Sequence, residues 1–500
     1  MNPVNSQMHN DKTYCFARSQ CVFAIATLIS ALCGCAGAPE RGEERQETQL
    51  TPEIVAAVAA VSSSRIESRV RKLVGFGTRH TLSETDSETR GIGAARRWIE
   101  RELRRCSAEN GGRLRVSLDE HLSPAGARLP RAAQVVNVVA TLPGDDPQER
   151  ERVLVVSGHY DSRVTDVMNS TADAPGANDD ASGVAAAMEM ACVMAGHHYG
   201  ATLVFMAVAG EEQGLLGSEH WAEQARSSGV DVEAMITNDI IGSPVGDVGQ
   251  RDAQQVRLFA DGLMPLLQAA LGQPRPDGVP DPGAAGAPTL RAQILTQVRA
   301  GGAADFPANQ LGRHVKEAGE RYVPNFKVNL IQRPDRVLRG GDHLSFLARG
   351  YAAVRMTEPF ENFDHQHQDV RSEAGRRYGD DLEFVDPVYV ADVTRVNLAA
   401  FATLALAPRP PQNVRVETIG LGNDTTLRWQ ASTETNLTGY RVVWRETSSL
   451  VWQHSRDVGK VDVVTLPISK DNVIFGVHAI GSAGTGRNVS LARFPLPLSR

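Results

Sequence analysis

Four short and almost continuous apolar segments constrain the fold of this chain more than any other feature of its sequence. They are rich in β-branched residues and occupy residues 135–140, 153–157, 203–208 and 351–356. A helical pattern at residues 181–195 lies between the second and third segments, and another at residues 91–103 precedes the first. Strands that are apolar on both sides are typical of a mostly parallel sheet covered by helices. The sequence therefore predicts an α/β fold with a mostly parallel (mixed) sheet flanked by helices on both faces.

A proline-rich break separates this α/β region from a C-terminal region with a different pattern. Beyond the break, five short segments of alternating polarity are spaced as in a small all-β sandwich. Trp429, Tyr440 and Leu466 resemble core positions of a fibronectin type III domain, whereas Val473 stands where that family usually has a tyrosine. The sequence therefore predicts a fibronectin type III-like domain with a binding or spacing role.

The first 35 residues resemble an export signal. An uninterrupted run of apolar or small residues, 21–33, follows Lys12 and Arg18 and is too short to span a bilayer comfortably. It ends in Leu-Cys-Gly-Cys, which resembles the lipobox of bacterial lipoproteins with Cys35 as the lipidated residue. We therefore expect an exported lipoprotein at the periplasmic face of a bacterial membrane, with the outer membrane favoured. A plain signal peptide with secretion, or an uncleaved anchor, is the alternative.

These patterns divide the chain into five parts. They are a signal peptide at residues 1–35, a tether at 36–50, the α/β domain at 51–407, a linker at 408–412 and the sandwich domain at 413–497. A stretch rich in Gly, Pro and Ala marks an insertion into the α/β domain at about residues 272–320. This insertion is predicted to form a lid or a rim.

Cysteine count and net charge exclude two classes of protein. Cys106 and Cys192 are the only cysteines in the predicted folded domains, so the chain is not a disulfide scaffold. One bridge between them and two separate buried thiols both fit the sequence. The formal net charge of −7 gives no reason to expect nucleic acid as a partner, because phosphate binding depends on clustered Lys and Arg.

Side chains of the types that bind metal ions follow successive elements of the predicted sheet. His159 and Asp161 alternate in an extended segment, so both point to one side and the carboxylate can orient the imidazole. Asp179 opens the helix at residues 181–195, where its two oxygens could each bind one cation. Three further loops offer ligands of the same kind, namely Glu211 with Glu212, Asp239, and His365 with His367 and Asp369.

This combination of ligands favours one kind of metal site. A single loop of this type is weak support, because such residues are common on solvated surfaces, but five loops after successive sheet elements are specific. His, Asp and Glu without Cys suit a catalytic zinc ion that keeps a position open for water. Of Glu211 and Glu212, one can bind metal while the other stays free as a base. The sequence contains no H-E-x-x-H, G-x-S-x-G or phosphate-loop motif.

Six motifs, in order, carry a resemblance to a known family. They are GHYDS, PGANDDASG, GEEQGLLGS, TND, GDH and H-x-x-x-D, and the resemblance that they carry covers roughly residues 66–406. In this order they resemble the zinc aminopeptidase and glutamate carboxypeptidase family of co-catalytic metallopeptidases. The resemblance implies two zinc ions bridged by Asp179, with Glu211 as general base and Asp161 as the partner of His159. The implied terminal ligands are His159, Glu212, Asp239 and His365.

Three positions in these motifs need comment. His365 is preferred to His367 as a ligand, because it precedes Asp369 by four residues, as the family's histidine precedes its acid. The GGDH segment, with Asp342, matches a family loop near the site. Asn178 stands where the family commonly has Asp, which we expect to adjust the surroundings of Asp179 without abolishing metal binding.

The resemblance implies hydrolysis of peptide bonds by a zinc-bridging water, from which Glu211 removes a proton. An aminopeptidase is favoured, because an N-terminal amine can bind close to acidic side chains at the metals. A carboxypeptidase of the same family would need cations near the substrate carboxylate. Four candidates precede GGDH, namely Lys327, Arg333, Arg336 and Arg339.

A single-zinc glutaminyl cyclase is a further alternative, and so is a non-catalytic receptor or adhesin that retains the fold. The expected partners are peptide or protein substrates, a membrane through a lipid on Cys35, and a cell-envelope ligand of the sandwich domain. No nucleic-acid partner is expected.

Overall fold

The computed structural model describes residues 50–263, 267, 287–299, 301–419, 422–482 and 490–491. The predicted signal peptide, nearly all of the tether and the Gly- and Pro-rich start of the insertion lie outside the described residues.

An eight-stranded mixed sheet forms the centre of the α/β domain. Its strands are β1 (Arg115–Ser123), β2 (Ala133–Leu142), β3 (Arg152–His159), β4 (Thr202–Val208), β5 (Asp231–Asn238), β6 (Gln255–Phe259), β7 (Lys327–Ile331) and β8 (Ala353–Thr357). The spatial order is β1-β2-β4-β3-β5-β8-β6-β7. The four central strands, β4, β3, β5 and β8, run parallel, whereas β1, β2 and β6 pair antiparallel with their neighbours β2, β4 and β8. The predicted fold class is confirmed.

Helices cover both faces of this sheet. They are α1 (Pro52–Ala59), α2 (Ser63–Val74), α3 (Gly91–Glu109), α4 (Ala181–Met194), α5 (Leu216–Ser227), α6 (Ala287–Arg299), α7 (Pro307–Tyr322), α8 (His343–Leu347) and α9 (Pro387–Leu406). Alternate residues of β3 enter different cores, because successive side chains of a strand point to opposite faces. Leu154 and Val156 pack in the cluster that contains α4 and α9, whereas Val155 packs in the cluster with α5 and α8.

Local sequence explains where the main helices begin. Ser62 accepts the Arg65 N–H ahead of α2, and Asp386 accepts two N–H groups ahead of α9, whose first residue is proline. Among the described residues, α9 is the one helix long and apolar enough to cross a membrane, and 83% of its apolar window is buried inside the fold. Burial of this kind is typical of a core helix.

The structure decides two points about the α/β domain that the sequence left open: the pairing of its cysteines and the extent of its insertion. A disulfide links Cys106 in α3 to Cys192 in α4, so the bridged alternative holds. Within the predicted insertion at residues 272–320, α7 is a core element, since Leu311 and Val315 are fully buried in the main cluster. The insertion therefore ends before Pro307 rather than near residue 320.

After the main sheet, β9 (Arg371–Glu373) and β10 (Arg376–Tyr378) pair antiparallel as a two-stranded sheet. The C-terminal region consists of small antiparallel sheets. The strands are β11 (Gln412–Val416), β12 (Thr425–Gln430), β13 (Leu437–Glu446), β14 (His454–Gly459), β15 (Val463–Leu466), β16 (Val473–Gly481) and β17 (Ser490–Leu491). They form sheets in the orders β11-β12-β15 and β14-β13-β16-β17. Trp429, Tyr440 and Leu466 are buried in the core that the two sheets share. The all-β prediction is confirmed, while membership of the fibronectin type III family stays a prediction.

Buried charges attach this β region to the α/β domain. Both oxygens of Asp305, which precedes α7, accept hydrogen bonds of 2.9 and 2.7 Å from Arg445 of β13. Asp305 also pairs with Arg313 of α7 at 2.7 Å, and no side chain of this trio is more than 2% exposed. Both guanidinium groups lie over the ring of Trp452. Because an unpaired buried charge is costly, α7 and the β region stabilise each other.

Candidate metal centre

Four of the five predicted ligands meet at the carboxyl ends of the central parallel strands. His159 is the last residue of β3, Asp239 directly follows β5, and Glu212 lies in the loop after β4. Asp179 comes from the turn before α4, and the peptide bond between Asp179 and Asp180 is cis. The carboxyl ends of parallel strands are where open α/β sheets place their ligand-binding crevice.

Asp179 lies between two groups of potential ligands. Its Oδ1 is 3.0 Å from Nε2 of His159, which lies 4.0 Å from Oδ1 of Asp239. Its Oδ2 is 2.9 Å from Nε2 of His367, which lies 3.1 Å from Oε1 of Glu212. We call His159, Asp179 and Asp239 the first half-site, and Asp179, Glu212 and His367 the second half-site. In each half-site the ligand atoms lie within 4.8 Å of one another.

The structure corrects the choice between the two histidines. The ring of His365 stacks on Phe384, with centroids 3.6 Å apart, and takes part in neither half-site. His367 has a left-handed backbone, with φ of 55°, and its imidazole reaches Asp179 and Glu212. Counting residues from Asp369 could not reveal this reversal of the backbone, so the preference for His365 was wrong on geometry.

The residues present fit zinc. Asp179, Glu212 and Asp239 are 6%, 3% and 4% exposed, so three carboxylates converge where water is largely excluded. Buried negative charges at such distances need positive charge among them. Imidazole and carboxylate ligands without cysteine thiolates are the set that catalytic zinc prefers.

The electrostatics of the second half-site supply that positive charge as protons. Burial lowers the pKa of His367, but the carboxylates of Glu212 and Asp179 outweigh it and raise this pKa to about 10. Burial also opposes ionisation of Asp179, yet His367 and His159 hold its pKa well below the usual range. An imidazole must lose its proton to bind a metal ion, so zinc binding here displaces protons.

Asp161 contacts both His159 and the loop that follows β4. The buried carboxylate accepts the backbone N–H groups of Glu211 and Glu212 at 3.2 and 3.1 Å. Nδ1 of His159 lies 3.1 Å from the Asp161 carbonyl oxygen and 3.6 Å from Oδ1 of its carboxylate. Asp161 therefore fixes the turn that carries both glutamates.

Glu211 has the environment of a proton acceptor. Burial raises the pKa of its carboxyl group well above the ordinary value; His159 opposes the rise, while Asp239, Glu212 and Asp342 add to it. A glutamate with a raised pKa is suited to take and return a proton near neutral pH. Glu211 belongs to neither group of potential ligands, unlike Glu212.

Asp380, which no sequence motif singles out, supports the turn that presents Asp179. Its carboxylate accepts the backbone N–H groups of Asn178, at 2.8 Å, and Asp179, at 2.7 Å. Burial raises the pKa of Asp380 to about 7. Arg79, also fully buried, donates to the carbonyl oxygens of Tyr160 and Gly176 in the same region. Asp380 is about 200 residues from its partners, so no local motif signals this role.

The hydrogen bonds of Asn178 explain why an amide suits this position. Its Nδ2 donates to Glu358 at 2.8 Å, and its Oδ1 accepts the backbone N–H of Gly242 at 2.6 Å. An aspartate at this position would place a second carboxylate against buried Glu358. The amide satisfies both neighbours, since it donates to Glu358 and accepts from Gly242.

The GGDH segment lies beside the first half-site. Asp342 and His343 are buried at the start of α8, and His343 Nε2 lies 2.7 Å from the carbonyl oxygen of Pro334. Burial raises the pKa of Asp342 to about 7, with nearby carboxylates adding to the shift and His159 opposing it. The segment is thus part of the wall of the site.

A mixed α/β sheet with a buried His, Asp and Glu cluster at its carboxyl edge defines a metal-dependent hydrolase. Residues 137–270 match the model of peptidase family M28. A probable zinc metalloprotease of Leptosphaeria maculans is 48% identical over 445 residues, which are 89% of this chain and 97% of the relative. One of Pyricularia oryzae is 49% identical over 437 residues, 86% and 82% of the two chains. This chain belongs to the M28 family of zinc metallopeptidases.

Among solved structures, the LapA aminopeptidase of Legionella pneumophila is 17% identical to this chain. The alignment covers 71% of this chain and 76% of LapA, with a TM-score of 0.46.

The relatives also correct the expected localisation. The closely similar metalloproteases come from fungi, so the expectation of a lipoprotein in a bacterial outer membrane is wrong. The lipobox-like pattern around Cys35 lies outside the described residues.

Proposed function

We propose that this chain is a two-zinc exopeptidase that removes N-terminal residues from peptides or proteins. The observation that carries the proposal is the pair of half-sites that share Asp179. One bridging carboxylate between two groups of His, Asp and Glu ligands suits two divalent ions side by side.

Each residue of the centre has a distinct role in this proposal. His159 and Asp239 would hold one ion, Glu212 and His367 would hold the other, and Asp179 could offer one oxygen to each. When bound, zinc supplies a Lewis acid that polarises the scissile carbonyl and lowers the pKa of water. His365, which stacks on Phe384, has no part in ligation.

Glu211 moves the proton. Its carboxylate accepts a proton from the attacking water and then delivers it to the leaving amine, which completes cleavage of the peptide bond. Burial raises the pKa of Glu211 above its ordinary value, which makes its carboxylate a better proton acceptor. Asp161 holds the Glu211 backbone through a 3.2 Å hydrogen bond and so keeps the base in place.

The charges around the centre favour an amine over a carboxylate as the recognised terminus. Arg336, one of the cations considered for a carboxypeptidase, is 8% exposed and already paired with Asp335 and Glu361. The position of Arg163 supports the carboxypeptidase alternative. Arg163 is 14% exposed and its Nη1 lies 4.0 Å from Oε2 of Glu212, where a substrate carboxylate could reach it.

Substrate profiling tests the proposal. The purified protein is offered aminoacyl anilides, N-blocked peptides and peptides with free or amidated C-termini, with Glu211→Gln as the matched control. We expect release of N-terminal residues from unblocked substrates, no release from blocked ones, and loss of turnover in the control. Cleavage that needs a free C-terminus would make the protein a carboxypeptidase, and cyclisation of N-terminal glutamine would make it a cyclase.

A further inference from the structure

A buried arginine contacts one ligand of the first half-site. Arg355 of β8 is fully buried, and its Nη2 lies 2.7 Å from Oδ1 of Asp239 and 3.3 Å from the Asp239 carbonyl oxygen. Its Nη1 lies 3.3 Å from Oδ2 of Asp335 and donates to the carbonyl oxygen of Gly340. A cation in contact with a ligand carboxylate attracts the same negative charge that a metal ion needs.

Both terminal nitrogens of the Arg355 guanidinium group have buried partners, and these partners are themselves held in place. Asp335 also pairs with Arg336 at 3.1 Å, and Arg336 pairs with Glu361 at 2.8 Å. A buried chain of alternating charges therefore begins at Asp239 and leads away from the metal centre. Such a chain fixes Arg355 in one orientation, since moving it would leave buried carboxylates without partners.

Gly341 makes room for this contact. A Cβ atom at position 341 would lie 2.7 Å from Nη1 of Arg355 and 3.1 Å from Oδ2 of Asp239. The backbone of the GGDH segment can thus press against both side chains only because this residue has no side chain. Oδ1 of Asp239, the oxygen that lies 4.0 Å from Nε2 of His159, is therefore also the oxygen that Arg355 contacts, so an ion in the first half-site would share it with the guanidinium group.

The second half-site lacks a comparable competitor among the described residues. Arg128, an exposed side chain, donates to the carbonyl oxygen of Glu212 at 3.2 Å but not to its carboxylate. Nη1 of Arg163 lies 4.0 Å from Oε2 of Glu212, and the Arg163 side chain is 14% exposed. Solvent weakens a longer and partly exposed ion pair far more than a 2.7 Å pair that is fully buried. Both half-sites contain Asp179, so this residue cannot make their zinc affinities differ. We expect the difference in affinity to arise from Asp239, which pairs with buried Arg355, and Glu212, which has no such partner among the described residues.

We propose that Arg355 is a positioning residue that competes for the Asp239 oxygen facing His159 and makes the first half-site the weaker of the two zinc sites. The inference rests on the proposed two-zinc function. It predicts that at limiting zinc the protein carries one ion in the second half-site and fills the first only at higher zinc concentration.

Calorimetric titration of the metal-free protein with zinc tests this inference. We expect two binding events whose dissociation constants differ at least tenfold. Asp239→Asn should abolish or further weaken the weaker event and leave the tighter one, whereas Glu212→Gln should weaken the tighter event. In the double variant Asp335→Asn with Arg355→Met, which removes the competitor and its partner together, the weaker event should tighten at least tenfold.

Arg336→Met is the matched control, because Arg336 pairs with Asp335 and Glu361 rather than with Asp239. Both binding events should keep their wild-type affinities in this variant. Equal affinities in the wild type, or loss of the weaker event in Glu212→Gln, would overturn the inference whether or not the double variant folds. An unchanged weaker event in a folded double variant would overturn it too. Binding of fewer than two zinc equivalents would instead contradict the proposed two-zinc function.

Discussion

Asp179 connects the two halves of the candidate centre, because each of its oxygens faces a different histidine. The carboxylates and imidazoles around it are individually ordinary, and their chemistry comes from how the backbone brings them together. His159 and Asp239 lie at the ends of parallel strands, and the sequence pattern predicted those positions. The contribution of His367 depends on one residue with a left-handed backbone, which residue spacing does not encode.

Replacing each histidine separately tests the assignment of His367. His367→Ala removes an imidazole 2.9 Å from Asp179, so zinc content and turnover should both fall. His365→Ala removes a ring that stacks on Phe384, so zinc content should stay near the wild-type value. Metal analysis by atomic emission after dialysis makes the measurement. The reverse pattern would restore His365 as the ligand.

Substitutions of Glu211 and Glu212 should have different effects on zinc content and turnover, although the two residues are adjacent. Glu211→Gln keeps size and hydrogen bonding but removes the proton acceptor, so turnover should fall by roughly 10²–10⁴ with near-normal zinc content. Glu212→Gln should lower zinc affinity, and excess zinc should partly restore activity. Parallel measurement of zinc content and kcat distinguishes the two. If Glu211→Gln loses zinc while Glu212→Gln retains it, their roles are exchanged.

At the level of elements, α4 presents Asp179 and is anchored far from the metal centre. Glu189 of α4 is fully buried and pairs with Arg65 and Arg69 of α2, and a disulfide ties Cys192 of the same helix to α3. Sequence pattern predicted the central strands and helices 91–103 and 181–195, because apolar runs and helical periodicity are local. It did not reveal Asp380, Arg355 or the Asp305 ion pairs, because their partners are distant in sequence or belong to another element.

Removing the charge of Glu189 should destabilise the fold and change its acid sensitivity. Glu189→Gln leaves Arg69 buried without its carboxylate, so the free energy of unfolding should drop by about 3 kcal/mol. Burial opposes ionisation of Glu189, but Arg65 and Arg69 lower its pKa below 4.5. Its contribution is therefore present above pH 4.5 and is lost as the pH falls below that value.

Urea denaturation at several pH values measures both effects. Glu67→Gln is the control, because Glu67 forms an exposed pair with Arg71 on the same helix α2 and should matter little. Equal stability of Glu189→Gln and wild type at pH 7 would show that the buried pairs contribute nothing.

At the scale of the whole molecule, the C-terminal β region is attached by more than a linker. Arg445 of β13 reaches Asp305 at the base of α7, and the paired charges are almost completely buried. The sequence predicted the change from α/β to all-β correctly, because composition and periodicity shift at residues 408–412. It could not predict this attachment, since the charges look like surface residues until both domains are folded.

Loss of the Arg445 contact should therefore destabilise the molecule. Arg445→Met leaves Asp305 with Arg313 as its remaining partner, and we expect a loss of about 2–3 kcal/mol in the free energy of unfolding. Arg441→Met on the same strand is the control, because its pair with Asp457 is partly exposed. Thermal denaturation followed by circular dichroism makes the comparison. Equal melting temperatures for the two variants would contradict a structural role for the buried pair.

The most direct test of the central claim is the zinc content of the wild type and of Asp179→Ala, measured together with peptidase turnover. Because Asp179 belongs to both half-sites, the wild type should hold two zinc equivalents, and Asp179→Ala should lose both ions and turnover together. A wild-type protein with one tightly bound zinc, or an Asp179→Ala variant with full zinc content and turnover, would contradict the account.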